Sequence, residues 1–213
     1  MTSLRKKQKD LDTLHDQVLD VLEKYKCEYE LHEVRALFMG AIASPVEQVN
    51  PMDEVKSLWD GQLPPVDRVE DINEIMSVLA MGLWNQLSTH IALESPFVLM
   101  GYDNIETFTD LKEMAQVKVD EIHYFISGYM QGEEKITLLP EIAESLETLD
   151  DLSLMFNKMI DTAKKAQATE QEFIELVDEL MQNCEITIEE MNFIIVSTAE
   201  TRGQGGTLSR SLH

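Results

Sequence analysis

Apolar residues recur along almost the whole chain at steps of three and four, the repeat of one face of an α-helix. In the first stretch they are Leu4, Leu11, Leu14, Val18, Val21 and Tyr25. From Leu11 onward the steps alternate three and four, as in a heptad seam, and predict a helix from about Leu4 to Lys26. A second helix, about Glu30 to Ala43, carries Leu31, Val34, Leu37, Phe38, Ala41 and Ile42 on one face and ends before Pro45. A short helix over Pro51–Trp59 precedes a loop marked by Gly61, Pro64 and Pro65.

A long helix follows from about Asp67 to Leu93, with Asp67 and Glu70 at capping-box spacing. Its stripe is Val69, Ile72, Ile75, Met76, Leu79, Leu83, Leu87 and Ile91. Ser95, Pro96 and Gly101 break the chain, and the next helix, about Glu106 to Met130, ends at Gly132. After Pro140 another helix carries Ile142, Leu146, Leu149, Leu152, Phe156, Met159 and Ala163. Thr169 with Glu172, and Thr187 with Glu190, have capping-box spacing. They predict one helix ending near Cys184 and a last one reaching about Glu200. No segment has the period of a strand. The fold class predicted is all-α: a single compact multi-helix domain of about seven to eight helices over residues 1–202. A subdivision near 95–105 is the alternative, and the glycine-rich 203–213 segment is expected to be a flexible tail.

Charge changes this picture. The 213 residues include 40 acidic and 17 basic side chains, a formal net charge of −23. Such a field repels phosphate backbones and anionic membranes, so direct nucleic-acid binding is not expected. Between Glu133 and Glu190 there are 16 acidic residues against 4 lysines, which suits a basic protein partner. Cys27 and Cys184 alone make neither a disulfide framework nor a zinc site and fit a reducing compartment. Charged residues follow the N-terminus where a signal peptide would be apolar, and no run is long enough for membrane insertion. A cytoplasmic location is expected.

Three fragments touch on metal chemistry. His32-Glu33 opens like the zinc-protease sequence H-E-x-x-H, but Ala36 stands where the second histidine belongs. Asp12-x-x-His15 and Asp120-x-x-His123 resemble the carboxylate-x-x-His pairs of di-metal bundles. Those bundles use glutamate there, and they need carboxylates interrupting the apolar faces of two further helices, which are not found. No phosphate loop, nucleophile elbow, C-x-x-C or calcium loop is present. No catalytic, cofactor-binding or metal-binding residue is therefore assigned, and no cofactor is expected.

The function expected is that of a non-enzymatic adaptor or regulatory protein, chaperone-like in its use of an apolar helix face with acidic surroundings. Leu11, Leu14, Val18, Val21 and Tyr25 are the candidate partner-binding residues, and self-association into a homo-oligomer is another use of the same stripe. A di-metal carboxylate helical-bundle enzyme is the alternative.

Glu30-Leu31-His32 followed by Leu37-Phe38-Met39-Gly40, Phe125-Ile126-Ser127-Gly128, and Leu149-Asp150-Asp151-Leu152 with the later Ile188-Glu189-Glu190-Met191 form one set of motifs. Together they resemble the YecA/YgfB family of bacterial proteins, in its YgfB-like branch. The resemblance spans about Glu30 to Glu200. It implies an all-helical fold, no established enzyme activity and a regulatory or adaptor role. The cysteine-rich metal-binding tail of some members is absent here, so no zinc role carries over.

Overall fold

In the computed structural model the described residues are 2–46, 49–91, 95–101, 104–133, 136–165 and 169–210. Helices α1 (Thr2–Lys24), α2 (Leu31–Ala43) and α3 (Pro51–Ser57) come first. A continuous helical stretch then runs through α4 (Val69–Ile75), a π-helical segment (Met76–Leu83), α5 (Trp84–Leu87) and a 3-10 turn (Ser88–Ile91). The chain ends with α6 (Phe108–Met130), α7 (Pro140–Lys165) and α8 (Glu170–Arg210). Among the described residues there is no strand, so the fold is all-α.

The organising element is α2, in which every residue except Glu33 is buried. A helix apolar around most of its circumference belongs in the middle of a core. It packs most extensively on α6, and the contact is backbone to backbone. A Cβ on Gly40 would fall on the Phe125 carbonyl oxygen and lie 2.8 Å from the Tyr129 nitrogen. A Cβ on Gly128 would fall on the Leu37 carbonyl oxygen and lie 2.9 Å from the Ala41 nitrogen. Reciprocal glycines thus let the two helices approach more closely than any side chain permits. On the other side α6 packs against α7, and α7 against α8.

An extended strap, residues 95–100, crosses this assembly with Phe97 and Leu99 buried. Buried backbone needs hydrogen-bond partners, and four elements supply them. His90 Nδ1 lies 2.8 Å from the Ser95 carbonyl. The Asn192 amide both accepts from the Phe97 N–H and donates to its carbonyl, each at 2.8 Å. Arg35 donates to the Val98 carbonyl at 3.1 Å. Lys118 donates to the Met100 carbonyl, while Glu121 accepts the Met100 N–H at 2.7 Å. Lys118 and Glu121 also pair with each other at 2.6 Å, with side chains 1% and 0% exposed. The strap therefore binds α2, α6 and α8 together where a subdivision near 95–105 is the alternative expected from sequence.

Three local expectations differ from the structure. The segment expected as two helices with a start at Thr187 is one helix, α8; Thr187 is buried, and its hydroxyl bonds the Asn183 carbonyl at 2.7 Å. A threonine satisfied by the preceding turn does not interrupt a helix. Helix α8 also runs to Arg210 rather than ending near Glu200, and 211–213 lie outside the described residues. Finally, α4 is not capped by Asp67: Arg68 occupies the cap and clamps Asp71 through two bonds of 3.0 and 2.8 Å. Val69 and Ile72 are exposed, and the apolar stripe reaches the core only from Ile75.

Candidate functional site

The heptad stripe of α1 is used inside the chain. Val18, Val21 and Tyr25 are buried in the core with Leu22, which the heptad pattern omits, and Leu11 and Leu14 are half-buried. Leu14 packs on the π-helical segment, where a Cβ on Gly82 would lie 2.9 Å from its Cδ1. Four of the five residues expected to form a partner-binding face, Leu14, Val18, Val21 and Tyr25, therefore pack in or against this protein's own core, because burying that stripe is what stabilises a long amphipathic helix. At its C-terminal end the Tyr25 hydroxyl lies 3.0 Å from Asp71 and 2.6 Å from Glu74. The Arg68 guanidinium holds the Asp71 carboxyl well below the usual carboxylate range, assisted by Tyr25.

The two carboxylate-x-x-His pairs do not meet. His15 faces Arg35, and burial followed by that positive neighbour lowers its pKa. His123 is exposed, with its ring edge-on to Tyr124. Asp120 instead faces His32. Among the described residues, one group of potential ligands converges: His32, Glu33 and Asp120, whose ligand atoms all lie within 4.8 Å of one another. Two sequence fragments that are incomplete separately are joined by the close α2–α6 crossing. The sequence signal existed in each fragment, but nothing in linear spacing says that they meet.

Neither cysteine is an activated thiol. Cys27 is half-buried, and its Sγ lies 3.7 Å from the Leu58 carbonyl. Cys184 is buried, and desolvation pushes its pKa up to about 11. A thiolate nucleophile needs the opposite shift.

Two surface concavities bear on recognition. A cleft of about 600 Å³ lies between the 58–65 loop and Tyr29 and Tyr124, with Trp59, Pro64 and Pro65 on its wall. The Tyr29 and Tyr124 rings meet edge-on at 5.4 Å. The second, about 460 Å³, runs between α7 and α8. Glu141, Glu144, Glu189 and Glu190 surround Phe193, which is 44% exposed. On the same two helices Leu154, Met155, Ile174 and Met181 are also exposed. These residues lie in or beside the acidic Glu133–Glu190 stretch, and the structure adds exposed apolar side chains to it.

No protein-family model, curated protein or solved structure matches the chain. No helix among the described residues is long and apolar enough to cross a membrane.

Proposed function

We propose that this protein is a non-enzymatic adaptor or regulatory protein that binds a cationic segment of a partner protein in the α7–α8 groove. One observation carries this reading: an exposed phenylalanine ring framed by four glutamates on two packed helices. Lys and Arg side chains combine an apolar stem with a charged head, and they sit favourably over an aromatic face. The groove offers both halves of that recognition, and the net charge of −23 steers a basic partner toward it. In this reading the apolar face with acidic surroundings is that of α7 and α8 rather than that of α1. Chaperone-like action and membership of the YecA/YgfB family belong to the same proposal.

Titration of the full chain with a lysine- and arginine-rich amphipathic peptide tests it. Binding is expected to weaken about tenfold in a Glu144→Lys/Glu190→Lys variant and severalfold in Phe193→Ala. Charge reversal of the exposed Asp16 and Glu23 on α1 is expected to change it by no more than about twofold, as distant charges are screened. Equal losses from both reversals would reduce the groove to a share of the overall field.

A further inference from the structure

We infer that His32, Glu33 and Asp120 form a site for one divalent transition-metal ion, separate from the α7–α8 groove. The first observation is convergence. His32 and Glu33 lie in the first turn of α2, and Asp120 lies on α6, held opposite them by the Gly40–Gly128 crossing. One imidazole and two carboxylates come within 4.8 Å of one another.

The second observation is independent of the acidic groups. The His32 side chain is only 10% exposed, and its Nε2 is buried without a hydrogen-bond partner. An unpartnered buried nitrogen is costly and rare. Asp120 Oδ2 lies 3.8 Å from it, beyond hydrogen-bond length. Two ligands each about 2.1 Å from a shared ion at tetrahedral or octahedral angles are separated by roughly 3.0–3.5 Å. A small side-chain rotation connects the observed spacing to that value.

The surroundings suit a ligand imidazole. Its other nitrogen, Nδ1, lies 3.5 Å from Glu30 Oε2, so a carboxylate that could orient a metal-bound ring stands just beyond hydrogen-bond length. Glu33 accepts the Glu30 N–H at 2.6 Å, which fixes its carboxylate while leaving acceptor positions for an ion. Two carboxylates balance a dication, and the imidazole favours zinc, iron, nickel or copper over magnesium, calcium or manganese. Tyr124, on the turn after Asp120, lines the neighbouring cleft.

The test uses the full chain, stripped with a chelator and titrated with Zn²⁺ and Co²⁺. One ion per chain is expected, with cobalt ligand-field bands and a shift of the His32 ring proton signals saturating at one equivalent. His32→Gln and Asp120→Asn are each expected to weaken binding by about 100-fold. Retained affinity in both variants would place the ions on the general acidic surface and overturn the site, as would the absence of binding. Should His32→Gln fail to fold, the isosteric Asp120→Asn and the wild-type His32 signals decide: an unchanged affinity or an unshifted ring overturns the assignment.

Discussion

The α2–α6 crossing and the α7–α8 hairpin are both helix pairs, yet they are built on opposite principles. The crossing has glycine against backbone, a buried Lys118–Glu121 pair, and side chains that bond an extended strap. The hairpin has long regular helices, a stripe of Leu149, Leu152, Phe156, Leu180, Met191 and Ile194 inside, and glutamates with exposed apolar residues outside. The first spends its polar groups on internal geometry and tolerates little change. The second keeps its carboxylates in water and leaves its outer face adjustable. Rigid packing holds residues at defined separations, as a metal site requires, whereas an exposed amphipathic groove suits recognition of another chain.

The contrast is broken most directly at Lys118. Lys118→Met leaves Glu121 buried without its cation and the Met100 carbonyl without its donor. A loss of about 3–5 kcal/mol in urea-unfolding free energy is expected. A loss below about 1 kcal/mol would mean that water reaches the pair. Next comes Gly128→Ala, whose Cβ collides with the Leu37 carbonyl. Overpacking against backbone is expected to cost about 3 kcal/mol, measured in the same way, because α2 has no side chain there that can yield.

A smaller effect, readable in its pH dependence, concerns Asp71. Its pKa is depressed in the folded protein by Arg68 and Tyr25, so its stabilising contribution is fully present above the unfolded value of about 4. That contribution is lost as pH falls toward the folded value. The stability difference between wild type and Asp71→Asn is therefore expected to be constant at neutral pH and to shrink below about pH 4, followed by chemical denaturation. A difference independent of pH would assign the role of Asp71 to packing.

The smallest effect belongs to the hairpin. Met181→Ser and Leu154→Ser, both at exposed positions, are expected to shift stability by no more than about 0.5 kcal/mol. A larger loss in dilute solution, recovered at high protein concentration, would show that copies of the chain cover this face.

Helical period alone determined the all-α class and most element positions. Thr169 caps α8 as its spacing predicts, accepting the Glu172 N–H while the Glu172 carboxylate accepts its own. Local spacing could not reveal that Thr187 sits inside a helix, since its hydroxyl is satisfied by a carbonyl four residues back rather than at a cap. Nor could it show that Val69 and Ile72 face water, because the π-helical segment after Ile75 changes the residues per turn and thus the register.

The candidate sites depended still more on tertiary structure. The acidic density between Glu133 and Glu190 is plain in the sequence, but Phe193 joins it only when α7 lies beside α8. His32-Glu33 and Asp120 are 87 residues apart by their numbers and are incomplete as motifs separately. Gly40 and Gly128 bring them together, because removing both Cβ atoms lets two helical backbones touch. Side-chain period is set by local geometry and is therefore written along the chain. Which turn of one helix meets which turn of another is decided by packing, and packing is a property of the folded whole.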